Sequence, residues 1–166
     1  MRRLPDLLRA RGKVTVIGAA GSGAALLAAW LAENVRTPTL IVCATGEEAE
    51  EFAEDAAAMV ARGYSVIYMK VGLGENADLR NVAAVREVIG QRRLRLDANG
   101  AWDVGQAIAM CRLLARFEPE WIEQPTPAPG IAALRQVKES APVAVAADQS
   151  VFTPHDVYEI CRQRAA

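Results

Sequence analysis

The chain has 166 residues, 52% of them hydrophobic and only 5% aromatic, and its 19 basic and 20 acidic side chains leave a formal net charge of −1. That length is enough for the core of one domain without disulfides or metals, and the aliphatic, Ala-rich content suits helices packed on parallel strands better than an aromatic-rich sandwich. The balanced charge excludes a general electrostatic attraction to nucleic acid or to an anionic membrane, and no apolar run reads as a signal peptide or a membrane span.

The expected elements alternate strand and helix. Residues 14–17 (Val-Thr-Val-Ile) read as a strand, 22–34 as a helix, and 40–43 (Leu-Ile-Val-Cys) as a second strand. A helix over 47–62 carries Ala49, Phe52, Ala53, Ala56 and Val60 on one face, with Gly63 as its stop. A third strand follows over 66–71. Asp78 is placed to cap a helix with Leu79, Val82, Val85 and Ile89 on its inner side. The fourth strand ends at Asp97. Asp103 caps a helix whose inner face is Val104, Ala107, Ile108, Cys111, Leu114 and Ala115. Trp121 and Ile122 form the fifth strand, 131–140 a short helix and 143–146 the sixth strand. Thr153 and Pro154 then open the last helix as N-cap and first helical residue. About six parallel βα units give an α/β fold, either an open three-layer sheet or a partial (β/α) barrel completed by dimerisation.

Cys43, Cys111 and Cys161 are odd in number and far apart, with no CxxC, and read as reduced, mostly buried thiols of a cytoplasmic protein. His155 is the only histidine and falls at a helix start, which leaves no basis for a catalytic Cys-His pair.

Three strands end in an acid: Asp97, Glu123 and Asp148. In a parallel βα sheet the C-terminal strand ends open onto one face, so three successive strands bring three carboxylates toward one another. Like charges at such spacing repel unless a proton or cation intervenes, and magnesium, a hard cation that prefers oxygen ligands, is the natural partner. Lys70 ends the preceding strand on the same face and is placed to act as a base. Taken alone, without the motifs below, these acids read first as solvated strand ends.

Tyr68-Met69-Lys70-Val71-Gly72, Leu96-Asp97-Ala98-Asn99, Trp121-Ile122-Glu123-Gln124-Pro125 and Ala147-Asp148-Gln149-Ser150 resemble, in order and spacing, barrel strands two to five of the mandelate racemase/muconate-lactonising branch of the enolase superfamily. The resemblance implies that Asp97, Glu123 and Asp148 bind Mg2+. It implies that Lys70 is the acid/base that removes a proton next to a carboxylate, and that Asn99 is a neighbouring polar site residue. Two departures stand out. Tyr68 occupies a position where that family often has a lysine, and Gln149 stands where it commonly has a glutamate.

The first sixty residues differ. Gly18-Ala19-Ala20-Gly21-Ser22-Gly23 has the frame of a P-loop, but Ala24 and Ala25 replace its Lys and Ser/Thr, which leaves at most a weak anion site at Gly21, Ser22 and Gly23. This segment resembles the degenerate P-loop N-terminal module of transcription-repair coupling factors. The two resemblances together imply a chimera: one α/β domain over 1–166, with a P-loop-like βαβα fragment at 1–57 and an enolase-superfamily half-barrel fragment at 58–166. The expected function is then a chimeric or engineered scaffold without efficient catalysis, retaining a vestigial magnesium site. One alternative is a magnesium-dependent isomerase or lyase that abstracts a proton alpha to a carboxylate. The other is a protein-binding module related to a DNA-repair coupling factor. The expected partners are a second copy of the chain in a homodimer and a small carboxylate ligand, with no nucleic acid and no membrane.

Overall fold

The computed structural model describes residues 49–166. The strands expected at 14–17 and 40–43, the helix at 22–34, the glycine turn with its anion site at Gly21, Ser22 and Gly23, and Cys43 all lie outside the described residues. The described elements are α1 (Ala49–Ala61), β1 (Val66–Lys70), α2 (Glu75–Ile89), β2 (Arg93–Asp97), α3 (Val104–Leu114), a 3-10 turn (Ala115–Phe117), β3 (Ile122–Glu123), α4 (Ile131–Ser140), β4 (Val145–Ala146) and α5 (Pro154–Gln163). The boundary drawn between 57 and 58 falls inside α1.

Helical periodicity does what the sequence led us to expect. Phe52 and Ala56, one turn apart, are buried on α1, and Val82, Val85 and Ile89 form the buried stripe of α2. Gly63, at φ +88°, ends α1 in the left-handed conformation that a residue without Cβ adopts freely. The N-caps of α3 and α5 are reciprocal. Asp103 accepts from the Gln106 N–H at 2.8 Å while the Gln106 side chain accepts from the Asp103 N–H at 3.3 Å. At α5 the Thr153 hydroxyl accepts from the Asp156 N–H at 3.3 Å, and the Asp156 carboxylate accepts from the Thr153 N–H at 2.7 Å.

The four strands pair in parallel in sequence order, β1-β2-β3-β4. Each helix packs on the next, α1 on α2, α2 on α3, α3 on α4 and α4 on α5. Ile67, Met69, Leu94, Leu96 and Ile122 are fully buried in one core cluster with the inward residues of those helices. Alternate strand residues Tyr68, Arg95, Trp121 and Glu123 lie on the opposite face and are only half-buried. Sequential pairing with the helices packed on one another in chain order is the arrangement of a partial barrel and not of an open three-layer sheet.

Three local expectations are corrected. Asp78 does not cap α2, since the helix begins at Glu75 with Gly74 at its N-cap. Instead the Asp78 carboxylate reaches back to accept from the N–H groups of Gly72, at 3.0 Å, and Leu73, at 3.1 Å. Trp121 lies just before β3 and not within it, although its carbonyl accepts from the Leu96 N–H at 3.2 Å. Of the two described cysteines, Cys111 is buried, which pushes its thiol up to about 11, but Cys161 is exposed on α5.

Candidate metal and acid-base site

Lys70, Asp97 and Glu123 are the last residues of β1, β2 and β3, and the register sets Lys70 opposite Asp97 and Asp97 opposite Glu123. Glu123 is opposite Ala146, so Asp148 follows two residues later, just past the end of β4. The ladder continues beyond the strands. Val71 N–H donates to Asp97 O at 2.8 Å, Ala98 N–H to Glu123 O at 2.9 Å and Gln124 N–H to Ala146 O at 2.8 Å. One rim therefore carries all four residues picked out from the sequence.

Two close approaches hold the loops above this rim together. A Cβ on Gly72, at φ +108°, would stand 2.7 Å from the Ala101 Cβ, and one on Gly100, at φ +73°, would stand 3.1 Å from the Pro127 Cα. Glycine is what allows the loops after β1, β2 and β3 to touch.

The Lys70 ammonium donates to Asp97 Oδ2 at 2.9 Å and also to Asn99 Oδ1. Asp97 is 3% exposed, and its other bonds come from Asn99. Oδ1 accepts from the Asn99 backbone N–H at 2.9 Å and Oδ2 from the Asn99 side-chain amide at 2.8 Å. Asn99 folds over Asp97 because its backbone is left-handed, at φ +48°, a conformation asparagine tolerates better than most residues. Asn99, expected only as a polar neighbour, thus bridges Lys70 and Asp97.

Burial pushes the Glu123 carboxyl above the usual carboxylate range, and the negative charges of Asp97 and Asp148 add to the rise. A hydrogen bond with the Tyr68 hydroxyl opposes it. Tyr68 is itself pushed well up, first by burial, then by that bond to Glu123 and by the carboxylates of Asp97, Glu123 and Asp148. It stays a neutral donor. Tyr68 stands where the family often has a lysine, yet it meets Glu123 as a hydrogen-bond donor. The period-2 rule, which puts it two residues before Lys70 on the same face, already placed its hydroxyl beside this rim.

The donors suit a hard cation in kind, since they are carboxylate oxygens, and in placement, since they share one rim and repel one another at Glu123. As they stand, however, no three acidic, histidine or cysteine side chains among the described residues are close enough to enclose a metal. Asp97 is turned onto Lys70 and Asn99, and Asp148 is exposed. Strand register sets Lys70, Asp97 and Glu123 side by side, while the carboxylates of Asp97, Glu123 and Asp148 do not close into a cluster.

Sequential parallel strands, an outer ring of helices and acids at successive strand ends define a fragment of the barrel class of α/β proteins whose site lies at the strands' C-terminal rim. Residues 51–166 match the family described as enolase C-terminal domain-like, and the chain belongs to that family. It is 41% identical over 118 residues to the o-succinylbenzoate synthase of Thermobifida fusca, a match covering 68% of this chain and 37% of that protein. It is 33% identical over 118 residues to the hydrophobic dipeptide epimerase of Enterococcus faecalis, covering 70% and 33%. The crystal structure of the dipeptide epimerase from Enterococcus faecalis V583 superposes with a TM-score of 0.72 at 31% identity, covering 75% of this chain and 36% of that one. A racemase from Streptomyces coelicolor with bound magnesium gives 0.67 at 29%, covering 71% and 36%. The chain thus spans about a third of the length of the curated relatives it matches. Its relatives are enolase-superfamily enzymes, among them epimerases and cycloisomerases, which is closer to the enzyme alternative than to the inert chimera. The P-loop-like segment invoked for the chimera lies outside the described residues, and the family match begins before the expected boundary at 58. No helix among the described residues is long and apolar enough to cross a membrane.

Proposed function

We propose that this chain carries the metal-binding and proton-abstracting half of a magnesium-dependent isomerase or lyase acting alpha to a carboxylate. Asp97, Glu123 and Asp148 hold Mg2+, and Lys70 exchanges the α-proton. The observation that carries this reading is the register Lys70–Asp97–Glu123, which sets a lysine and two carboxylates side by side on three adjacent strand ends. Bound there, the cation supplies the positive charge that makes a proton alpha to a carboxylate acidic.

The chain's own residues do the rest. Lys70 Nζ, once its ammonium has given a proton to solvent, takes the proton from the α-carbon, and the C–H electron pair moves toward the substrate carboxylate. Returning the proton restores the C–H bond. Asn99 fixes the reach of Lys70 by accepting from Nζ while holding Asp97 from the other side. Tyr68, kept neutral, orients Glu123 without adding charge beside Lys70. Dipeptides are the first substrates to try, because two of the relatives are dipeptide epimerases.

The test is deuterium incorporation at the α-carbon of a dipeptide such as L-Ala-L-Glu, in D2O with Mg2+, followed by mass spectrometry or NMR. Incorporation by the wild type and its loss in Lys70→Ala is the expected outcome. Incorporation that persists in Lys70→Ala removes Lys70 from the role.

A further inference from the structure

Gln124 follows a proposed metal ligand directly, yet its side chain points away from the rim's solvent and is wholly buried, at 0% exposure. Every polar position of its amide is used. Oε1 accepts from the backbone N–H of Asp148 at 3.0 Å and of Ser150 at 3.1 Å. Nε2 donates to the Ser150 hydroxyl at 2.8 Å and to the Thr126 carbonyl at 2.8 Å. The Ser150 hydroxyl in turn donates to the Ala128 carbonyl at 3.1 Å. An amide has two donors and an acceptor with two lone pairs, so none is left over.

Its backbone is tied as fully. The Gln124 N–H donates to Ala146 O at 2.8 Å, and its carbonyl accepts from the Gly100 N–H at 2.6 Å. Gly100 lies three residues beyond Asp97, and Ala146 two before Asp148. The backbone sits at φ +41°, a region that non-glycine residues seldom occupy and that persists where surrounding bonds over-determine it.

We propose that Gln124 is the positioning residue of the carboxylate rim. It joins the end of β3 to the loops after β2 and β4, and so sets where Asp148 stands relative to Glu123 and Asp97. This rests on the metal reading above for its consequence, but the geometry concerns the chain alone. Nothing in the sequence marked the residue beyond its place in a motif, because its partners at 148 and 150 are 24 and 26 residues away.

Two substitutions separate the side chain's role from the backbone's. Gln124→Met fills the same volume without an amide. Gln124→Asn suits the left-handed backbone at least as well, but it is one methylene too short to reach Asp148 and Ser150 while holding Thr126. Mn2+ affinity is read by electron paramagnetic resonance, well below each variant's metal-free melting temperature, and amide hydrogen exchange is followed across 145–151. Both variants are expected to lose about tenfold or more in Mn2+ affinity and to exchange faster at the Asp148 and Ser150 amides, with α1 and α2 unchanged. A merely structural role would lower the melting temperature and leave the Mn2+ affinity of the folded protein as it was, and that result overturns the proposal. If the wild type binds no Mn2+, the metal reading fails on its own. Gln124 then stands on faster exchange at 148 and 150 in Gln124→Met, and falls if exchange there matches the wild type.

Discussion

Asp78 and Asp156 are both acids near the start of a helix, and they do different work. Asp78 has left the cap position to hold the loop that follows Lys70, accepting from Gly72 and Leu73. Asp78→Ala strands both N–H groups and is expected to cost about 1–3 kcal/mol in thermal or urea melts. Asp78→Asn, which keeps an oxygen where Oδ1 accepts both bonds, is expected to cost less, and equal losses would show that the loop contacts do not matter. Asp156 belongs to the α5 cap. Hydrogen bonds from the Thr153 hydroxyl, then from the Thr153 and Phe152 N–H groups, hold its carboxyl below the usual range. Glu159 is held down to about 2, first by the hydrogen bond with Arg162 and then by that with Gln163. A carboxyl lowered by folding adds stability above its unfolded pKa, near about 4, and loses it as the pH falls through the folded value. Asp156→Asn should therefore melt below the wild type at neutral pH, and the gap should close as the pH falls below the ordinary carboxylate range. A gap of constant width would contradict the cap's electrostatic part.

Elements whose signals are local were legible in advance. The stripes of α2 and α3, the 131–140 helix and the Thr153-Pro154 start of α5 follow from spacing and caps within one or two turns. Legibility ended where a side chain's partner depends on how a loop turns. Asp78 looked like a cap because its alternative partners, Gly72 and Leu73, become acceptable only once the loop has turned. Asp97 and Glu123 were legible as strand ends, whereas Asp148 falls two residues past β4. The side-chain distances were not legible, because Asn99 pulls Asp97 toward Lys70 through a left-handed turn that nothing in Asp97-Ala98-Asn99-Gly100 makes obligatory. The contact between loops is also tertiary. Gly72→Ala puts a Cβ 2.7 Å from that of Ala101 in a left-handed backbone, and the backbone alone is expected to cost about 1–2 kcal/mol. Urea unfolding reads that loss, and a variant as stable as the wild type would mean that the β1 and β2 loops need not touch.

For the molecule as a whole, the half-buried face of β1–β4 opposite the helices carries Arg95, which pairs with Glu120 at 2.7 Å and lies 4.0 Å from the centre of the Trp121 ring. A second copy covering this face is a proposal from the sequence. Light scattering at high micromolar concentration supports it with a dimer mass and removes it with a monomer mass. The central claim is that the rim binds a divalent cation through Asp97, Glu123 and Asp148. Thermal melting with and without Mg2+, on the wild type and on Asp97→Asn, tests it most directly. A cation that binds only the native state raises the melting temperature as its concentration rises above its Kd, so the wild type should melt progressively higher with Mg2+ while Asp97→Asn does not respond. Melts of the wild type that coincide with and without Mg2+, or a rise that survives unchanged in Asp97→Asn, would contradict the claim.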